Sequence, residues 1–66
     1  MDVAVEVVGE GTQTVEATSE TTYADLVETV GYNVNEVSVL VEGTPVPEDQ
    51  PVEVDRVTVL RLIRGG

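Results

Sequence analysis

The sequence predicts an α+β domain, a mixed sheet of four to five strands packed on one helix in the order β-β-α-β-β-β. Three observations carry this reading. Sixteen valines, eight threonines and one isoleucine put 25 β-branched side chains among 66 residues, and such side chains suit a pleated surface better than a helix. Apolar and polar residues alternate near both ends of the chain, the period-two mark of strands with one buried face. Between them the apolar spacing changes once to that of a helix, and a single helix can bury its stripe only against one face of the sheet.

Val3, Val5 and Val7 alternate with Asp2, Ala4 and Glu6, and Val15 and Ala17 alternate with Thr14 and Glu16, with Gly9-Glu10-Gly11 between the two runs. The pattern predicts a β-hairpin with strands over 2–8 and 12–18 and the odd-numbered apolar set facing inward. Tyr23, Leu26, Val27 and Val30 fall at i, i+3, i+4 and i+7 and predict a helix over 23–30. Thr22 is its expected N-cap, Asp25 completes an acidic variant of the capping box, and Gly31 supplies the left-handed stop. Asp25, Glu28 and Thr29 then form a solvated surface.

Val37-Ser38-Val39-Leu40-Val41 resumes the strand pattern and runs into a turn at Glu42-Gly43-Thr44. Pro45, Pro47 and Pro51 forbid a long strand there, so a very short edge strand around Pro45-Val46 and a polar loop over Pro47–Pro51 are expected. The last strand spans Arg56 to Ile63 with Val57 and Val59 inward. One folded unit over residues 1–63 is expected, with a flexible Arg-Gly-Gly tail at 64–66.

Composition removes whole classes of function. The chain contains no cysteine, histidine, lysine, tryptophan or phenylalanine. Disulfides, thiolate metal sites, the usual neutral-pH proton shuttle, Schiff-base chemistry and most base-stacking platforms are therefore absent, and an autonomous enzyme is not expected. A net charge of −10 opposes direct binding to nucleic acid or to an anionic membrane, since both demand a positive surface. No apolar run can span a bilayer and no charged-then-apolar leader opens the sequence. A cytoplasmic, soluble monomer without a cofactor of its own is expected.

All thirteen carboxylates lie in residues 1–55, whereas Arg56, Arg61 and Arg64 supply all the basic charge. Such a body repels itself in dilute buffer, but the Debye length falls to roughly 3 Å at about 1 M salt. Acidity without lysine thus fits adaptation to a salt-rich cell. Disorder, the other reading of an acidic chain, is answered by an apolar content of 41% that recurs periodically.

Arg64, Gly65 and Gly66 end the sequence. A fraying end tolerates small residues, but glycines can also thread a narrow channel and adopt backbone angles closed to other residues. They would deliver an α-carboxylate that is ionised at neutral pH and a poor acyl donor until activated, for instance as an acyl-adenylate.

The run Val59-Leu60-Arg61-Leu62-Ile63-Arg64-Gly65-Gly66 resembles the C-terminal strand and tail of ubiquitin and its prokaryotic relatives. Thr22-Tyr23-Ala24-Asp25-Leu26-Val27, Val46-Pro47-Glu48-Asp49-Gln50 and Val52-Glu53-Val54-Asp55-Arg56-Val57 extend the likeness over essentially the whole chain. With its acidic, lysine-free composition of haloarchaeal type, the sequence is similar to the small archaeal modifier proteins, which share the ubiquitin-like β-grasp fold. The resemblance implies a partner enzyme of the ubiquitin-activating type that uses ATP to adenylate Gly66. It implies either attack by a lysine of a target protein, giving an isopeptide bond, or replacement of oxygen by sulfur, giving a thiocarboxylate for sulfur transfer to tRNA thiolation. A dedicated sulfur-carrier small subunit for molybdopterin-type synthesis and a noncovalent β-grasp interaction module are the alternatives. One departure matters: related modifiers can extend chains through a surface lysine, and this chain has none, with Thr58 on the last strand where a relative could carry one. Single tags are expected.

Strand alternation turns Leu40 and Leu60 away from the helix, with Val8 nearby, as a candidate partner-docking patch, although scattered surface apolar residues are also ordinary. Arg61 and Arg64 flank the tail and are expected to meet an acidic groove on the activating enzyme. Arg56 reads as structural, and Tyr23 and Tyr32 as packing residues. Glu48, Asp49, Glu53 and Asp55 lack an ordered cation-loop signature, so no metal site is assigned to them.

Overall fold

The computed structural model describes residues 1–62. The elements are β1 (Asp2–Val7), β2 (Gly11–Glu16), α1 (Tyr23–Thr29), a single 3-10 turn at Val34–Glu36, β3 (Val37–Val41), β4 (Thr44–Pro45) and β5 (Arg56–Arg61). They build one five-stranded sheet in the order β2-β1-β5-β3-β4. The expected α+β architecture is therefore present, and its chain order is the one that periodicity predicts. Among the described residues no helix is long and apolar enough to cross a membrane.

Antiparallel β1 and β2 pair Val3 with Val15 and Val5 with Gln13. β5 enters between β1 and β3, running parallel to β1 with Val5 opposite Val57 and Val7 opposite Val59, and antiparallel to β3 with Val39 opposite Val59. Because side chains alternate strictly along each strand, this register puts Val3, Val5, Val7, Val37, Val39, Val57 and Val59 on one face, and all are buried. The helix lays Tyr23, Leu26, Val27 and Val30 onto them, and Val15, Ala17 and Val52 close the margins. Leu26 is the largest side chain with essentially no exposure.

The helix begins as its sequence dictates. Thr22 Oγ1 accepts from the Asp25 amide at 3.2 Å and Asp25 Oδ2 accepts from the Thr22 amide at 3.0 Å, a reciprocal capping box. The loop after β4 satisfies two further amides at that end, since Tyr23 N–H donates to Gln50 O at 3.2 Å and Ala24 N–H to Glu48 O at 2.8 Å. The proline-rich segment is thus a cap for the helix as well as a connection, and it brings in Val52, whose amide donates to Thr21 O at 2.8 Å. Gly31, at φ +94°, ends the helix by a backbone conformation that costs a residue with a Cβ roughly 1–2 kcal/mol.

Several boundaries differ from expectation: the first hairpin's strands are Asp2–Val7 and Gly11–Glu16 and not 2–8 and 12–18, and the helix stops at Thr29 with Val30 as its C-cap. The edge strand is Thr44–Pro45, one position earlier than Pro45-Val46, because a two-residue turn at Glu42-Gly43 joins Val41 directly to Thr44. Both turn residues have positive φ, +52° and +82°, as the twist of a tight hairpin requires. The last strand pairs over Arg56–Arg61, and beyond it Leu62 N–H donates to Glu36 O at 2.8 Å; Ile63, the expected end of the strand, lies outside the described residues. The Arg64, Gly65 and Gly66 tail lies outside them as well.

Candidate docking face and tail exit

β5 occupies the middle of the sheet, so the chain reaches its final residues from the best-supported strand in the fold. Both neighbours hold it, the β1 side as far as Val59 and the β3 side to its end. Val8 N–H donates to Val59 O at 3.0 Å on the β1 side, and the Leu62 contact with Glu36 extends the β3 side. The strand's outgoing end therefore has a fixed position and two chemically different flanks.

On the face turned away from the helix, Val8 and Leu60 meet beside Leu62 and line a shallow cleft with Arg61. These three apolar residues are exposed, Val8 at 47%, Leu60 at 41% and Leu62 at 53%. The structure thus brings together two of the residues that alternation selects, Val8 and Leu60, and adds Leu62. Leu40 does lie on this face, but it is half-buried, a correction to the view of it as an exposed leucine. It stands between Thr58 on β5 and Pro45 on β4, while the residue opposite Leu60 is Ser38. Leu40 therefore lies apart from the cleft, and the exposed patch consists of Val8, Leu60 and Leu62. Further along the same face Arg56 pairs with Glu6 at 3.5 Å, both partly exposed, an ion pair worth no more than about 1 kcal/mol. That supports a structural part for Arg56.

On the helix side the outgoing end has a different character. The Arg61 guanidinium lies over the Tyr32 ring, 5.7 Å from its centre, within cation–π range. Tyr32 in turn donates its hydroxyl to Glu10 Oε1 at 3.1 Å, across 22 positions of sequence. Partial burial, then the hydrogen bond and charge of Glu10, push the Tyr32 hydroxyl above the ordinary phenol range, with Arg61 pulling the other way. Tyr32, Glu36, Arg61 and Leu62 line the cleft between. Tyr32 is thus a packing residue against the core, as expected, and also the seat of Arg61, which sequence reasoning did not find. Its only advance signal was an aromatic residue placed just after a helix stop.

The remaining acidic groups do not converge: among the described residues no cluster of three or more potential ligands could hold a metal ion. All the carboxylates except that of half-buried Glu6 are on exposed residues, which spreads the negative charge over the surface. Gly66, Gly65 and Arg64, the residues expected to carry the chemistry, lie outside the described part of the chain.

Comparison with known proteins agrees with this fold. The family model described as "Small archaeal modifier protein 2" matches residues 1–63. Small archaeal modifier protein 2 of Haloferax volcanii is 64% identical over 66 residues, covering 100% of both chains. The crystal structure of the H. volcanii small archaeal modifier protein 2 superposes with a TM-score of 0.76 at 62% identity, covering 97% of each chain. A second solved structure, of a protein from Haloferax volcanii, is 64% identical over 100% of both chains, with a TM-score of 0.41. A family match over residues 1–63, a relative of equal length and a crystal structure that superposes over nearly the whole chain lead to one conclusion: this chain belongs to the small archaeal modifier protein 2 family of ubiquitin-like modifiers, and is a modifier and not an enzyme.

Proposed function

We propose that the chain is a covalent tag and sulfur carrier that works through the carboxylate of Gly66. The observation that supports this most directly is the placement of β5, which is central in the sheet, hydrogen-bonded to the β1 side up to Val59 and held on the β3 side up to Leu62. The folded body can therefore present residues 63–66 from one fixed point. The sequence Arg64-Gly65-Gly66 provides an end without bulky side chains beyond Arg64, suited to a narrow active site on another protein.

The chemistry belongs to that partner. A carboxylate oxygen of Gly66 attacks the α-phosphorus of ATP, pyrophosphate leaves, and an acyl-adenylate results. A lysine ε-amine of a target then attacks the acyl carbon, AMP departs with the C–O electron pair, the nitrogen loses a proton, and an isopeptide bond remains. Alternatively hydrosulfide attacks the same acyl carbon, AMP departs with the C–O electron pair, the sulfur loses its proton, and a thiocarboxylate remains at Gly66 as a sulfur donor for tRNA thiolation. This chain supplies the acyl group, the exposed Val8–Leu60–Leu62 patch for docking and the Arg61 cation beside it.

Intact-mass analysis tests the proposal. The protein is incubated with ATP, an activating enzyme, a sulfur source and lysine-bearing targets. Adducts joined through Gly66 support tagging, and a sulfur-for-oxygen mass change supports carriage. Deleting Gly65-Gly66 should abolish both; the same products from the truncated chain would refute the reading, and a wild type that forms neither would leave a noncovalent module.

A further inference from the structure

We propose that Tyr32 is a positioning residue for handing the tail to the activating enzyme: its ring seats the Arg61 guanidinium while its hydroxyl occupies Glu10, keeping Arg61 available to partner carboxylates. This inference rests on the reading above and assigns that reading a further residue.

Electrostatics create the need. With thirteen carboxylates and three guanidinium groups in the chain, an arginine at the surface has abundant internal partners. Arg56 takes one, at 3.5 Å from Glu6. Among the described residues that is the one ion pair, although Glu36 lines the same cleft as Arg61 and Glu10 accepts from the hydroxyl of the tyrosine on which Arg61 lies. An Arg61–Glu10 pair would cancel the cation before a partner arrived. Tyr32 stands between them, giving its face to one and its O–H to the other.

A cation held on a ring face remains useful. The attraction is to the π-system, so it consumes none of the five guanidinium N–H donors, whose fork fits a carboxylate with two parallel bonds. Holding the group in advance also reduces the side-chain freedom lost on docking. The platform itself is anchored: Gly31 turns the chain at the end of α1, and Tyr32 N–H donates to Val27 O at 3.0 Å. A phenol pushed above its ordinary range by burial and Glu10 keeps its proton, so the donated hydrogen bond persists at neutral pH.

The test is steady-state adenylation, read as pyrophosphate release, for the wild type, Y32F, Y32L and the Y32L/E10Q double variant at one salt concentration. Y32L should raise KM about two- to five-fold with kcat unchanged, the size of a lost exposed cation–π contact. Y32F, which keeps the ring but frees Glu10, should show a smaller rise. E10Q should lower KM again in the Y32L background, part of the way to the wild-type value, because the competing carboxylate is gone while the ring is still missing. A structural role alone would lower the melting temperature and give no rescue by E10Q. An unmoved KM in Y32L, or a rise that E10Q leaves in place, overturns the inference while wild-type adenylation keeps the proposed function. A wild type that is never adenylated overturns the proposed function, and this inference with it. Independently of any partner, the Arg61 δ-methylene protons should be shifted upfield by the ring and return to ordinary values in Y32L; ordinary values in the wild type refute the seating.

Discussion

Two leucines on opposite faces of the molecule separate what holds the fold from what is offered to partners. Leu26 is 1% exposed between the helix and the sheet, whereas Leu60 is 41% exposed on the other face. Replacing a buried leucine with alanine costs the lost transfer energy and the cavity, about 2–5 kcal/mol. A domain of this length has a total stability of about 3–10 kcal/mol, so L26A removes much of it. Taking about 3 kcal/mol and a shift of about 4–8 °C per kcal/mol, L26A should lower the melting temperature by roughly 12–24 °C. Leu60→Ala leaves no closed cavity, because the vacated space opens to solvent. The transfer energy of its covered part is about 1 kcal/mol, or about 4–8 °C. Thermal unfolding by circular dichroism in concentrated salt measures both, and adenylation kinetics on the folded proteins complete the comparison. L60A should raise KM well below its melting temperature. If L60A melts as low as L26A, Leu60 belongs to a core that the fold does not show. If L60A retains the wild-type KM, the Val8–Leu60–Leu62 patch is not the docking surface.

Other consequences are measurable on the free protein. Thr22→Ala and Asp25→Ala each break one arm of the capping box and should each cost about 1 kcal/mol; chemical denaturation of the double variant should show less than the sum, and strict additivity would mean that the two arms act separately. Glu42 holds φ +52° in the tight β3–β4 turn, so Glu42→Asn should stabilise by about 0.5–1 kcal/mol. Glu42→Gln removes the same charge without easing the backbone, and an equal gain from it would assign the effect to charge. The exposed carboxylates and net charge of −10 predict a melting temperature that climbs steeply between about 0.1 M and 2 M salt as repulsion is screened. A flat melting curve series would contradict the attribution of the acidity to a salt-rich environment.

The elements were legible because each has a local cause. Period-two valines announce β1, β3 and β5, the Tyr23–Leu26–Val27–Val30 spacing announces the helix, and Thr22, Asp25 and Gly31 mark its ends. These signals lie within a few residues of one another, so one chain read in order contains them. The candidate patch was legible for the same reason: alternation alone assigns Leu40 and Leu60 to the face opposite Val39 and Val59. How far a neighbouring strand covers Leu40 does not follow from alternation.

What the sequence determined by itself is the set of elements, the inward side of each and the acidic surface, all consequences of residue type and spacing. Tertiary structure alone decided the rest. It set β5 parallel to β1 in the centre of the sheet, brought Glu48 and Gln50 to the amides that open the helix, and stacked Arg61 on Tyr32 while Tyr32 reached Glu10. Those contacts join residues separated by 22 or more positions. Their pairing depends on how the sheet closes around one helix, and no local periodicity encodes that closure.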